Sequence, residues 1–186
     1  MIRSNIQTTG GIVIAALVLA VSATAQAGTS DAQLIADSHA TVAVFKRTDP
    51  GLGPFFANAP GYVVFPTVTK GAFGVGGAHG DGIVFQAGHP VGRASLSQIT
   101  VGAQLGGQEY SEVIFFETPM ALANFQQGNT EFSGQVSAVA LKSGASADAK
   151  YRNGVAVFTA AQGGLMFEAS LGGQKFKYEP INVKQH

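Results

Sequence analysis

The chain has 186 residues, 46% of them hydrophobic and only 12% charged, with 25 glycines, 13 phenylalanines and neither tryptophan nor cysteine. Charged residues run at about half the usual ~25%, which excludes a disordered or charged coiled-coil chain. Eleven basic against eleven acidic side chains leave no positive field to track a phosphate backbone, so nucleic acid is not an expected partner, and the missing cysteines remove disulfides, thiol catalysis and Cys-ligated metals.

The first 27 residues have the form of an export leader. Arg3 supplies a positive start, Gly10 to Val21 is an uncharged apolar run, and Ala25-Gln26-Ala27 fits the small-x-small cleavage rule. The apolar run falls short of the roughly 20 residues a spanning helix needs. The expectation is cleavage near Ala27, release into the periplasm or the medium, and a single domain over 28–186.

After the leader, Ser30-Asp31 precedes DAQLIADSHATVAVFKR, whose Leu34, Ile35, Val42 and Phe45 form a stripe at helical period. Lys46 and Arg47 close that helix beside the negative end of its dipole, and Asp49-Pro50-Gly51 stops it. Residues 51–61 read as a Pro/Gly/Phe-rich link that exposes Phe55 and Phe56. Tyr62 to Phe65 reads as a short apolar strand bounded by Pro66. In 71–85 glycine alternates with Phe73, Val75, Ile83 and Phe85, so something must pack closely against that backbone.

Period-two alternation is clearest later. Ile99, Val101, Ala103 and Leu105 share one face; after Gly106-Gly107 the phase moves to Tyr110, Ile114 and Phe116, as a β-bulge would do. A similar slip follows Gly172-Gly173, and the strings AQLGGQEY (103–110) and ASLGGQKF (169–176) suggest a repeated bent strand in neighbouring sheet positions, with Glu109 and Lys175 equivalent. Between them Thr118 caps a helix with Pro119 at its first position and Gly128 past its end. A polar loop, 142–154, reads as the one solvated, basic and flexible segment, with Lys142, Lys150 and Arg152, before a strand at Val155 to Thr159.

Few residues offer chemistry. His79 and Asp81, two apart in GGAHGDG, could share a base or ligand role but have no evident third partner. No helix follows the glycine string, and the G-x-x-x-x-G-K-[ST] and H-E-x-x-H patterns are absent, so neither a nucleotide fingerprint nor a zinc protease motif is present. Glu109 and Glu112, three apart on a strand, face opposite sides. No enzyme, metal or cofactor is expected.

The segments PGYVVFPTVTKGAFGVGGAHGDGIVF (60–85), ITVGAQLGGQEYSEVIFF (99–116), SAVALKSGASADAKYRNGVAVFT (137–159) and GGLMFEASLGGQKFKYEP (163–180) resemble the SYLF domain, most closely its exported bacterial members. This domain is also described as the actin-binding domain of yeast endocytic adaptors. The resemblance implies phospholipid or phosphoinositide binding, with actin bundling in some eukaryotic members, and no catalysis. Actin binding does not fit an exported chain. The family's basic amphipathic helix is not reproduced either, since 31–47 has cations only at Lys46 and Arg47. Each cation near an anionic surface contributes on the order of 1 kcal/mol, whereas each buried methylene contributes about 0.8 kcal/mol, so apolar capture outweighs the charge contribution.

The expected molecule is therefore an α+β domain, a curled, mostly antiparallel, barrel-like sheet with glycine bulges and at least two packed helices. It is expected to be monomeric and to bind phospholipid or a membrane surface through Phe55 and Phe56, with Lys70, Lys150 and Arg152 as headgroup contacts. The rival reading is an envelope module that docks another protein.

Overall fold

The computed structural model describes residues 30–181 apart from 74, 102–105, 129, 133–135, 148 and 163–170. The leader and its cleavage point lie outside the described residues. Among the described residues three α-helices and seven strands follow in the order α1 (Asp31–Thr48), α2 (Gly53–Asn58), β1 (Gly61–Phe73), β2 (Val75–Gln86), β3 (His89–Val101), β4 (Gly106–Phe116), α3 (Pro119–Gln126), β5 (Ala138–Ala140), β6 (Val155–Ala161) and β7 (Gln174–Pro180). The strands form one sheet in the order β5-β6-β4-β1-β2-β3-β7, antiparallel except for the β5–β6 pair. This is the expected α+β class.

The sheet is open rather than barrel-closed, but one segment reaches both of its edges. Phe132 N–H donates to Gln174 O and Phe176 N–H to Thr130 O on the β7 side, while β5, a few residues further on, pairs with β6. The sheet therefore curls around an interior.

Both sheet faces are covered, which is why YVVF, IVF and VIFF are unbroken apolar runs rather than alternating ones. On the outer face α1 and α2 bury Leu34, Val42, Phe45 and Phe56 against Tyr62, Val64, Ile83, Phe85, Phe115 and Phe158. Inside the curl, α3 and the segment around Phe132 and Val136 pack Leu122 and Phe125 onto Val63, Phe65, Leu96, Ile114, Phe116 and Phe176. The ends of α1 and α3 were legible: Ser30 Oγ accepts from Gln33 N–H, and Thr118 Oγ1 accepts from Ala121 N–H.

Four expectations are corrected. First, residues 51–61 are not an open link. Asp49 caps a 3-10 turn at Pro50–Leu52, and α2 follows with a proline in its first turn, where a missing N–H costs nothing. Phe56 is thereby buried and Phe55 half-buried.

Second, the strand at Tyr62 does not stop at Pro66. It continues to Phe73 through a bulge at residues 65–67, the one kind of place inside a sheet where proline is tolerated. The carbonyl freed by the bulge, Pro66 O, accepts from Ser111 Oγ at 2.6 Å and Gln162 Nε2 at 2.7 Å. The same bulge explains the glycines opposite. A Cβ on Gly82 would stand 2.5 Å from Val64 O and 2.7 Å from Phe65 Cδ1, and one on Gly80 would stand 2.9 Å from Thr67 O. The expected close approach is the kinked neighbouring strand itself.

Third, the phase change after Leu105 is not a bulge in one bent strand. Gln98 belongs to β3 and Tyr110 to β4, and these lie on opposite sides of the β1–β2 pair. At the second phase change the chain turns at Gly172-Gly173, with Gly173 at φ +80°, into β7; the expected strand before it, from Leu165 to Ala169, lies outside the described residues. Glu109 and Lys175 are not equivalent neighbours: β1, β2 and β3 separate their strands.

Fourth, the polar loop 142–154 is tied down. Ala145 is buried, and Ser146 N–H donates to Asp49 Oδ2 at 2.7 Å.

Candidate ligand-binding groove

The Arg152–Val155 turn sets the rim of a concavity. Asn153 (φ 51°) and Gly154 (φ 79°) both take left-handed backbone, the signature of a two-residue hairpin turn, and Arg152 and Val155 exchange both backbone hydrogen bonds across it. The turn delivers β6 beside α3. Between α3, residues Thr130 to Phe132 with Val136, and this turn opens a groove of about 430 Å³. Its floor is Phe116, Ala121, Phe132, Val136 and Val155, and Met120, 74% exposed, stands at its lip. A second hollow of about 290 Å³ shares Val136 and Val155 with the first and is bordered by Val139, Val157, Lys150 and Arg152.

The two hollows adjoin at Val136 and Val155 and together make up the trough; Lys150 and Arg152 line the second, and the carboxylates Glu117 and Glu131 line the first. Tyr151, between the two cations in sequence, is half-buried and packs its ring 5.8 Å from Phe55. Burial, reinforced by the nearby Glu117 charge, raises the Tyr151 phenol pKa, so it is a neutral hydrogen-bonding group at any ordinary pH.

The five residues singled out in the sequence are only partly brought together. Lys150 and Arg152 flank the trough and Phe55 stands behind them through Tyr151. Phe56 is core: its ring lies 4.7 Å from Phe115 and 5.1 Å from Tyr62, with the Lys46 ammonium 4.9 Å over its face. Lys70 is at the far end of β1. Gly61 pairs with groove-lining Phe116, and Lys70 is nine residues on, roughly 30 Å at strand rise.

The His79–Asp81 pair lies apart, in a shallow cleft of about 230 Å³ with Asp37, Thr67 and Thr69. Asp81 is committed to a structural ion pair: Arg93 Nη2 lies 2.8 Å from its Oδ2, and Arg93 Nη1 lies 3.3 Å from Asp31 Oδ1, which ties β2 and β3 to the start of α1. Among the described residues no group of three or more His, Asp or Glu side chains is placed to hold a metal ion.

The residue that sequence reasoning passed over is Glu112. Glu109 is exposed and Glu112 fully buried, as their odd spacing on β4 requires. Glu112 points inside the curl, where Gln174 Nε2 donates to its Oε2 at 3.1 Å and lies 3.4 Å from the Tyr110 hydroxyl. Burial pushes the Glu112 carboxyl up to about 8, only partly offset by the Gln174 hydrogen bond. Burial, then the Glu112 charge, also raises Tyr110. The signal was present, since Glu112 shares the even-numbered face of Tyr110, Ile114 and Phe116.

Fold and groove define an α+β protein with a curled, two-faced sheet and an apolar trough bordered by cations. Residues 97–180, from mid-β3 to the end of β7, match the family described as Ysc84, Las17-binding protein actin regulator, the SYLF domain, over that part of the chain. It is also similar to Beta cell expansion factor A of Aeromonas veronii, with 33% identity over 76 residues. That match covers 41% of this chain and 29% of the relative, so the chain spans less than a third of the curated relative it matches.

Proposed function

We propose that this protein is exported after cleavage near Ala27, remains in the periplasm or is secreted, and binds phospholipid or a membrane surface without catalytic turnover. The observation that carries the reading is the trough over Phe116, Phe132, Val136 and Val155, with Lys150 and Arg152 along one flank. An acyl chain laid in it gains about 0.8 kcal/mol per buried methylene. A phosphate at its edge gains on the order of 1 kcal/mol per cation. The apolar contribution dominates and the cations orient the headgroup.

The test is organic extraction of the purified protein followed by mass spectrometry, together with liposome flotation. Co-purifying phospholipid, or flotation with vesicles, supports the reading. Protein that carries no lipid and ignores every vesicle composition refutes it. A second reading, docking of an envelope protein, takes support from the family's printed description as a binding protein of another protein. It predicts a lipid-free molecule that retains one specific envelope partner.

A further inference from the structure

Asn153 is the one asparagine in the chain that a glycine follows; the other five precede isoleucine, alanine, phenylalanine, threonine and valine. It stands exposed at the tip of the hairpin turn before β6 and lines the groove, next in the chain to Arg152 of the second hollow. The backbone nitrogen after any asparagine is at the right remove to close a five-membered ring on its side-chain carbonyl. Two things normally prevent this: a side chain on the following residue that shields the nitrogen, or a hydrogen bond that ties it down.

Both protections are missing at this turn. Gly154 has no side chain, and its N–H makes no hydrogen bond among the described residues, because the turn is closed by the backbone groups of Arg152 and Val155 on either side. By contrast, the N–H after Asn58 donates to Phe55 O, and the N–H after Asn124 belongs to Phe125, inside α3. The fold also requires the glycine: φ at Gly154 is +79°, and a Cβ there would stand 3.2 Å from Ala121 Cβ. The turn that builds the rim of the groove therefore imposes a reactive pair.

We propose that Asn153 is a self-modifying site, with the protein's own backbone as reagent and water as co-reactant. The Gly154 nitrogen bonds to Asn153 Cγ and the Cγ–Nδ2 bond breaks. The proton from the Gly154 nitrogen passes by way of water to the departing Nδ2, which leaves as ammonia, and a succinimide remains. Water then opens the ring at one of its two carbonyls. Opening at the side-chain carbonyl leaves an aspartate at position 153; opening at the backbone carbonyl leaves an isoaspartate, with one more carbon in the turn. Ring closure needs the left-handed turn to open, so the two Arg152–Val155 hydrogen bonds slow it.

Either product places a negative charge on the groove lining beside Arg152, with Lys150 close by in the chain. One carboxylate offsets one of these cations. Partitioning into anionic vesicles then falls roughly fivefold, the share of a single charge at such a surface. This effect on binding rests on the lipid-binding reading; the chemistry rests on the turn alone.

The test follows purified protein in warm, mildly alkaline buffer, folded and in denaturant, by peptide mass spectrometry and isoaspartyl methyltransferase labelling. The folded protein is expected to convert at Asn153 ahead of the other five asparagines, and more slowly than the denatured chain. Asn153→Gly, which suits the same turn, is expected to lose the label. A folded protein still unconverted at Asn153 when the denatured chain has fully reacted would overturn the site. Asn153→Asp also suits the turn. It is expected to bind phosphatidylglycerol vesicles roughly fivefold more weakly than the parent, with phosphatidylcholine binding and melting temperature unchanged. Binding equal to the parent on both vesicles refutes the charge effect. If the parent binds neither vesicle, the lipid-binding reading fails and the charge effect with it, while the mass spectrum still decides the modification.

Discussion

Inside the curled sheet the Gln174 amide nitrogen lies 3.1 Å from Glu112 Oε2, joining strands β7 and β4, which are separated in the sheet by β1, β2 and β3. Among the described residues a carboxylate there has one hydrogen-bond donor and is fully buried, so the neutral acid is the favoured form. Glu112 Oε1 and Gln174 Oε1 are both buried without a partner among the described residues. These are costs that a hydrophobic core alone would avoid.

The sign of the pH dependence follows. The folded-state pKa of Glu112, about 8, stands above its ordinary value, so the folded protein holds a proton the unfolded chain has released. Stability from this group is full below the ordinary carboxylate range, falls as pH rises toward about 8 and then levels off, by roughly 1 kcal/mol per pH unit in between. Glu112→Gln is expected to flatten that slope. Denaturant unfolding from pH 5 to pH 9 measures it, and a slope unchanged by the substitution would refute the assignment.

Asp49 behaves in the opposite sense. Burial alone would raise its carboxyl, but hydrogen bonds from Ser146, Gly51 and Gly144 outweigh it and hold the pKa below the ordinary value. Its contribution is present above the ordinary carboxylate range and is lost as pH falls through the folded-state value. Asp49→Ala removes the cap of the 3-10 turn and the tie to loop 142–147. The expected cost is about 2–3 kcal/mol, with faster amide exchange at Ser146. Exchange at Ser146 that is as slow as in the parent would show that the tie is not what holds the loop.

The close approach of β1 and β2 is tested by paired glycine substitutions. Gly82→Ala drives a methyl group into Val64 O and the Phe65 ring and is expected to cost about 1–3 kcal/mol. Gly71→Ala meets nothing within 4 Å and is expected to be neutral or slightly stabilising. Thermal melts of the two variants compare them directly, and equal melting temperatures would contradict the account of the Pro66 bulge.

The two kinds of residue first marked for lipid contact should separate. Lys150→Gln with Arg152→Gln removes about 2 kcal/mol of attraction to anionic vesicles, roughly a 30-fold loss in partitioning, at an unchanged melting temperature. Phe56→Ala removes a ring packed on Phe115 and Tyr62 and is expected to cost about 3–5 kcal/mol of stability. Vesicle titration beside a denaturant curve distinguishes them. A Phe56→Ala protein of parental stability would return that ring to the surface.

Sequence alone determined what depends on local rules. Ser30 and Thr118 announced helices α1 and α3, because a cap needs only a side-chain oxygen three residues before an orphan N–H. Two-residue periodicity placed Glu109 and Glu112 on opposite faces. The quoted segments from residue 99 onward carried the SYLF resemblance that the match over 97–180 supports, since a string of residues is itself the thing matched.

Only the tertiary structure decided which strands are neighbours. The halves of an apparent bent strand, Gln98 and Tyr110, lie on opposite sides of the β1–β2 pair, and a sequence-local phase shift looks the same for a bulge and a chain crossing. It likewise decided that Phe56 is core, that Lys70 is far from Arg152, and that Glu112 meets a glutamine 62 positions away. Burial and pairing are set by residues distant in the chain, and no local pattern encodes them.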